Sequence, residues 1–111
     1  MNREERIGMN EAVFRDVNER IQEVADAFQL RGEPLDLICE CGDASCVDRI
    51  NVSRSEYEEI RSDSHAFAVA PGHEAPDVEE IVAKRGGFDI VRKFAGVPER
   101  IARETDPRSN D

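Results

Sequence analysis

The stretch that decides the fold runs from Leu35 to Val52 and has the sequence LDLICECGDASCVDRINV. Short apolar runs stand at its two ends, and all three cysteines of the chain lie between them, from Cys39 to Cys46. The apolar runs predict two strands, residues 35–39 and 48–52, joined by the cysteine loop. We therefore expect the fold to be organised around this loop.

The spacing of the cysteines, Cys-x-Cys-x4-Cys, indicates a metal site. Cys39 and Cys41 can reach one ion if the backbone curls around it, and Gly42 permits that curl at low steric cost. Zn²⁺ prefers four tetrahedral ligands and accepts thiolates readily, so Cys46 is the expected third ligand. Free thiols, a disulfide with one cysteine left over and an iron–sulfur cluster are less favoured. Free thiols would leave reactive groups exposed, and a disulfide would imply an oxidising compartment. An iron–sulfur cluster would ordinarily need a fourth cysteine.

The fourth ligand is predicted to be a histidine. His73 directly follows Pro71-Gly72, a type II turn signal that would hold its ring in a fixed direction. His65, in a polar loop, is the alternative, and a water, a carboxylate or a group from a second chain also stays open. The predicted set is therefore Cys39, Cys41, Cys46 and His73, with a structural zinc ion. Such an ion would supply stability to a chain that has only 5% aromatic residues and hence a small core.

A long amphipathic helix is predicted between Asn10 and Leu30, with Asn10 as its N-cap. We expect its apolar stripe to pack on the domain's own sheet, and a coiled coil or a partner surface is the alternative. The stripe consists of apolar residues three or four apart, widened by Phe14 and Ala25: Val13, Val17, Ile21, Val24 and Phe28.

The remaining elements are predicted from local signals. Ser53 and Glu56 form a capping box, which predicts a short helix from Arg54 to about Arg61. Residues 67–70 are predicted as a strand, and residues 78–85 and 88–94 as a hairpin around Gly86-Gly87. The expected fold class is α+β, with a long N-terminal helix on a small, mainly antiparallel sheet, a second short helix and a zinc knuckle. The expected domain spans residues 10–95, between a flexible N-terminus (1–9) and a flexible C-terminal tail (96–111).

The charge balance restricts the classes of partner. The formal net charge is −10, so binding to the phosphates of nucleic acid is not expected. One basic patch is predicted on the hairpin, from Lys84, Arg85, Arg92 and Lys93. The acidic surface favours solubility or docking on a basic protein partner. No apolar run approaches the length of a membrane span and no secretory signal is evident, so we expect a cytoplasmic protein.

Four segments together resemble a family of small uncharacterised bacterial proteins. They are residues 14–21, the Cys-Glu-Cys-Gly-Asp-x-Ser-Cys loop (39–46), the Ser-x-x-Glu-Tyr step (53–57) and Phe-x-Val-Ala-Pro-Gly-His-Glu (67–74). The resemblance covers roughly residues 10–94. It implies that the Cys-x-Cys loop and the Pro-Gly-His-Glu turn act together, and it implies no activity.

Three functions are compatible with these features. The preferred one is a protein-interaction or regulatory module stabilised by structural zinc, because no further catalytic group accompanies the cysteines. A zinc-thiolate redox switch is the first alternative. A zinc hydrolase is the second, with Glu74 as the only candidate for a general base.

Overall fold

The computed structural model describes residues 1–28 and 32–108 and has the predicted α+β class. A long N-terminal helix is combined with small antiparallel sheets, short helices and a cysteine cluster. Among the described residues, no helix has the length and apolar character needed to cross a bilayer. The elements are, in chain order, α1 (Arg3–Ala27), β1 (Leu35–Ile38), β2 (Arg49–Val52), α2 (Arg54–Arg61), β3 (Ala66–Val69), β4 (Glu79–Lys84), β5 (Asp89–Lys93) and α3 (Val97–Glu104).

The strands form two antiparallel sheets. In the first, β1 pairs with β2, with Leu37 opposite Ile50. The second has the strand order β3-β5-β4, and its β4–β5 hairpin turns at the predicted glycine pair, where Gly86 has a φ of +88°. A backbone hydrogen bond of 2.8 Å from the Glu40 N–H to the Ala68 carbonyl joins the loop after β1 to β3. The cysteine loop therefore lies where the two sheets meet.

Helix α1 begins earlier than predicted. Its N-cap is Asn2, whose side chain accepts from the Glu5 N–H at 2.9 Å, while the Glu5 side chain accepts from the Asn2 N–H at 3.3 Å. This capping box satisfies two amides of the first turn, so residues 3–9 are helical rather than a flexible N-terminus. Asn10 is therefore not the N-cap. The helix ends at Ala27 with Phe28 as C-cap, and the predicted end at Leu30 lies outside the described residues.

The predicted inward face of α1 is only partly correct, since Ile21 and Ala25 are the members of the predicted stripe that pack against the core. The large apolar residues Val13, Val17, Val24 and Phe28 are exposed, whereas the buried face is mainly polar. The buried residues of the helix are Ile7, Gly8, Glu11, Ala12, Arg15, Asn18, Glu19 and Gln22. Apolar periodicity therefore located the helix but only part of the side that faces the protein.

Long-range polar contacts explain this burial. Lys93 of β5 donates to Glu11 at 2.6 Å and to Glu79 of β4 at 2.9 Å, and all three side chains are buried. Arg15 donates to the carbonyl oxygens of Ala102 at 2.7 Å and of Ser64 at 2.8 Å. A buried charge is stable only with such partners. The polar face of α1 is therefore the face whose charges are compensated.

The predicted C-terminal tail contains a helix. Helix α3 occupies Val97–Glu104, with Pro98 in its first turn, where a missing N–H costs nothing. Its Ile101 lies so close to α1 that a Cβ added at Gly8 would be 2.8 Å from the Ile101 side chain. The prediction of a flexible tail from residue 96 is therefore wrong for residues 97–104, and residues 109–111 lie outside the described part of the chain.

The predicted basic patch on the hairpin is smaller than expected, because Lys84, Arg85 and Arg92 are exposed but Lys93 is not. Lys93 is buried between carboxylates, as described above. Arg85 lies 3.1 Å from Glu59, and Arg92 lies 2.8 Å from Asp63. Three of its four cations are thus neutralised by nearby acids.

Candidate metal centre

The structure brings the four predicted ligand residues together. One donor atom each from Cys39, Cys41, Cys46 and His73 lies within 4.8 Å of every other, and the group could hold a metal ion. His73 Nδ1 lies 3.6 Å from the Cys39 sulfur and 3.7 Å from the Cys46 sulfur. Zn–S bonds of about 2.3 Å and Zn–N bonds of about 2.0 Å in a tetrahedron require sulfur–nitrogen separations of about 3.5 Å. The cluster therefore has the dimensions of a tetrahedral site.

The loop from Cys39 to Asp48 is closed by its own hydrogen bonds. The Cys39 N–H donates to the Asp48 carbonyl at 2.9 Å, which ties the end of β1 to the start of β2. The Cys46 N–H donates to the Asp43 carbonyl at 3.0 Å. The Asp43 carboxylate accepts from the Ser45 N–H at 2.9 Å and from the Ser45 hydroxyl at 2.7 Å. These bonds return Cys46 towards Cys39 and Cys41.

Glu40 orients the Cys-x-Cys pair, and the sequence analysis missed this role. Its side chain is fully buried and accepts from Asn18 of α1 at 2.8 Å and from the Ala68 N–H of β3 at 2.9 Å. Burial raises the pKa of Glu40, and these two hydrogen bonds oppose the rise. These bonds anchor the residue between Cys39 and Cys41 and so hold the backbone of the pair in place. The sequence signal for this role was the position of Glu40 between two cysteines.

Helix α1 supports the loop from one side. The Asn10 side chain donates to the Gly42 carbonyl at 2.8 Å. A Cβ added at Gly42 would lie 2.5 Å from Cγ2 of Ile7, a separation that real Cβ atoms essentially never show. Glycine is therefore required here by the close approach of the helix. The early start of α1 contributes directly to the site, because Ile7 belongs to the turns that the sequence analysis left outside the domain.

His73 is held by a turn and by a carboxylate. Its N–H donates to the Ala70 carbonyl at 3.0 Å, and Gly72 has a φ of +85°, as the predicted type II turn requires. Its Nδ1 faces the sulfurs, and its Nε2 lies 3.2 Å from an Asp48 carboxylate oxygen. A carboxylate at the second nitrogen fixes the tautomer and the ring orientation of a metal-binding histidine. The sequence analysis did not identify Asp48.

His65, the alternative fourth ligand, lies elsewhere. Its Nδ1 is 3.3 Å from an Arg92 nitrogen, and its backbone N–H donates to the Asp63 carboxylate at 2.9 Å. It is not part of the cysteine cluster. The structure therefore favours His73 among the two histidines.

Cys39 and Cys41 lie in an environment that opposes their ionisation. Burial, the largest cause, raises the pKa of Cys39 well above its usual range, and neighbouring Cys41 and Cys46 raise it further. The pKa of Cys41 is raised for the same first reason. The Ala70 N–H donates to the Cys39 sulfur at 3.1 Å, and the Asp43 N–H lowers the pKa of Cys41. Both backbone amides direct their N–H groups at the sulfurs, as expected around metal-bound thiolates.

A cavity of about 470 Å³ lies beside the cluster. Cys41, His73, Glu74 and Arg3 are among its lining residues. One Glu74 carboxylate oxygen is buried and has no hydrogen-bond partner among the described residues. Hydrolysis at a zinc ion needs a coordination position for water, and four protein donors leave none. The cavity therefore gives access to the edge of the cluster.

Comparison of the chain with protein-family models, with curated proteins and with solved structures gives no match. Fold and site together define a small α+β domain with a Cys3His cluster that could bind a metal ion.

Proposed function

We propose that this protein is a cytosolic zinc-binding module in which zinc is structural and whose role is protein interaction or regulation. The observation that carries the proposal is the convergence of three cysteine sulfurs and one imidazole nitrogen within 4.8 Å. Membership in the family of small bacterial proteins that the sequence resembles remains a prediction.

The types of ligand atom in the cluster favour zinc over other metal ions. Three thiolates and one imidazole are soft or borderline ligands, which suit Zn²⁺ and suit Mg²⁺ or Ca²⁺ poorly. An iron–sulfur cluster ordinarily uses four cysteines, and the sequence contains three. Three thiolates and a neutral imidazole around Zn²⁺ leave a charge of about −1, which the amides of Ala70 and Asp43 offset.

The surroundings support a structural role. Cys39 and Cys41 are buried and belong to the same hydrophobic core as Leu37, Ile50 and Val69. The ion would connect the β1–β2 loop to the turn after β3. Binding energy at structural zinc sites is about 10 to 16 kcal/mol in zinc-finger peptides, comparable with the whole stability of a small domain.

Metal analysis tests this proposal. The full chain, purified without added chelator, is expected to contain one zinc ion per molecule by mass spectrometry. Cys39→Ser and His73→Asn are expected to lose it. His65→Asn is the matched control because His65 lies outside the cluster, and it is expected to retain full zinc content. Zinc loss in His65→Asn with retention in His73→Asn would contradict the ligand set.

A zinc-thiolate redox switch is the second candidate. Cys46 is only partly buried, and the adjoining cavity reaches Cys41. Hydrogen peroxide would take two electrons from two thiolates, which form a disulfide, and with two protons it would become two waters, while zinc is released. Peroxide treatment with a zinc-sensitive dye tests this candidate. Retention of zinc at peroxide concentrations that oxidise an exposed thiol control would exclude it.

A further inference from the structure

The chain continues past α3 and returns to α1 and α2. Residues 105–108 have the sequence Thr-Asp-Pro-Arg, and we refer to them as the strap. Asp106 contacts α2, and Arg108 contacts both α1 and α2. The strap therefore places a carboxylate and a guanidinium, two positions apart, on two helices at once.

Arg108 occupies a site that is shaped for a guanidinium. Its Nε donates to a Glu19 carboxylate oxygen at 2.6 Å. Its Nη2 donates to a Glu58 carboxylate oxygen at 2.7 Å and to the Gln22 side-chain oxygen at 2.8 Å. The guanidinium carbon also lies 5.8 Å from the centroid of the Tyr57 ring. Two carboxylates, an amide and an aromatic ring together match a planar guanidinium better than a lysine ammonium.

A buried arginine receives the carboxylate of the strap. Arg61 is 3% exposed, and its Nη2 donates to the Asp106 carboxylate, while its Nε donates to Glu19 at 2.8 Å. Its Nη1 is buried and has no hydrogen-bond partner among the described residues. The strap therefore uses only part of the donor capacity of Arg61, and another acidic side chain could use more of it.

Polar contacts alone hold the strap in place. None of its residues belongs to the hydrophobic core, and Pro107 is exposed. A cavity of about 600 Å³, lined by Pro107, Arg108 and residues of α1, opens beside it. Segments near a chain end with few apolar contacts open at low free-energy cost. The strap can therefore leave its site without disrupting the core.

We propose that the surface beneath the strap is a docking site for a segment of another protein that carries an acidic residue and, two positions later, an arginine. The residues of this surface, which we call the strap floor, are Glu19, Gln22, Tyr57, Glu58 and Arg61. The chain's own strap occupies the strap floor when the partner is absent, and the partner segment replaces it.

The proposal rests on the interaction part of the proposed function and supplies the chemistry of the partner. A basic side chain on that partner also matches the net charge of −10 of this chain. None of the strap-floor residues belongs to the metal cluster, so the docking site and the zinc site can fail separately.

Competition with the strap sets the size of the expected effect. Only molecules with an open strap can bind a partner segment, so the apparent affinity falls by the fraction that is open. A strap docked in about nine of ten molecules therefore weakens partner binding about tenfold. Removing its charged side chains should restore that affinity.

Titration followed by two-dimensional NMR tests the proposal on the zinc-loaded full chain. The probe is the strap sequence as a separate capped peptide, acetyl-Thr-Asp-Pro-Arg-amide. The full chain with both Asp106→Ala and Arg108→Ala is expected to bind it saturably, with shifts at the amides of Glu58 and Arg61. The unaltered chain is expected to bind at least tenfold more weakly. Arg108→Ala alone keeps the contact to Arg61, and it decides the question if the double variant loses its fold.

Two neighbouring glutamates of α2 provide the matched control. Glu58→Gln, added to the double variant, is expected to weaken peptide binding at least threefold, because the guanidinium loses a carboxylate. Glu59→Gln is expected to leave it unchanged, since Glu59 contacts Arg85 of the hairpin instead. A peptide with lysine in place of its arginine is expected to bind severalfold more weakly than the original.

Zinc content and circular dichroism, measured on the same samples, separate lost docking from lost metal or fold. Absence of saturable binding in a folded, zinc-loaded Arg108→Ala chain would overturn the proposal and leave the zinc site standing. Equal affinities of the unaltered and double-variant chains, or of Glu58→Gln and Glu59→Gln, would also overturn it. Self-association of the unaltered chain that Arg108→Ala abolishes would assign the strap floor to a second copy instead and contradict the proposed partner.

Discussion

Two polar regions are built into the small core. One is the metal loop, residues 39–48. The other, which we call the α1 interface, consists of Glu11, Arg15 and Asn18 of α1 with the groups that they contact. Burial raises the pKa of Cys39 in the loop, so its thiolate would need a cation from outside the chain. The α1 interface has its cations built in, for Lys93 lies between Glu11 and Glu79. A chelator should therefore act directly on the first region, whereas it removes no charge from the second.

The largest expected effect of a single substitution is at Cys39. Cys39→Ser replaces a thiolate ligand by a hydroxyl, so we expect loss of zinc and loss of at least about 5 kcal/mol in the free energy of unfolding. Chemical denaturation monitored by circular dichroism measures this value. Ser45→Ala in the same loop is the control and should cost less than about 1.5 kcal/mol. Similar costs for the two variants would contradict a metal-dependent loop.

The second largest effect is expected at Lys93. Lys93→Met leaves two buried carboxylates without a counter-ion, which should cost about 3 to 5 kcal/mol. The loss should persist in the presence of excess zinc, because this interface does not involve the metal. Lys84→Met, on the exposed end of β4, should change stability by less than about 0.5 kcal/mol. Equal stability of the two variants would mean that the buried ion pairs do not hold α1.

The local sequence signals predicted short elements well and α1 poorly. The helix capped by Ser53, the turn at Gly72 and the Cys-x-Cys loop are all specified by residues within a few positions of each other. The orientation of α1 depends instead on Lys93 and Ala102, which lie 82 and 87 positions away from their partners in the helix. Apolar periodicity cannot detect such contacts, because it assumes that buried faces are apolar.

The same distinction separates the ligands from their supports. Cysteine clustering and the turn before His73 indicated the four ligand residues. Glu40 and Asp48 were overlooked because, in a chain of net charge −10, acidic residues are ordinarily expected to lie on the surface. Helix α3 was overlooked although Pro98, after Gly96, is a helix-start signal.

A smaller effect is expected at Asp48. Asp48→Asn removes the carboxylate beside His73 Nε2 and should weaken zinc affinity about 10-fold to 100-fold, while the zinc-saturated protein keeps its fold. Competition with a chromophoric chelator measures the affinity. Asp36→Asn, an exposed carboxylate on β1, is the control and should leave it unchanged. An unaltered affinity in Asp48→Asn would remove Asp48 from the account of the site.

The smallest effect concerns pH and Glu11. Burial raises the pKa of Glu11 well above its usual value, Glu79 adds to the rise, and Lys93 opposes it. The folded state then holds this proton more tightly than the unfolded chain, so the stability that Glu11 contributes is present below about pH 4.3 and is lost as pH rises towards the folded-state pKa.

Comparison with Glu11→Gln isolates this contribution. The unfolding free energy of the unaltered protein minus that of the variant should fall between pH 4 and pH 7. Glu23→Gln, exposed on the same helix, should show a flat difference. A difference for Glu11→Gln that rises with pH would show that Lys93, rather than burial, dominates at this carboxyl.

The central claim, that zinc holds the fold, is tested most directly by thermal unfolding of one preparation before and after removal of the metal. Circular dichroism should show a cooperative transition for the zinc-loaded protein. After chelation, the transition should disappear or its midpoint should fall by about 15 °C or more, and added zinc should restore it. An unchanged midpoint in protein verified to be free of metal would contradict the claim.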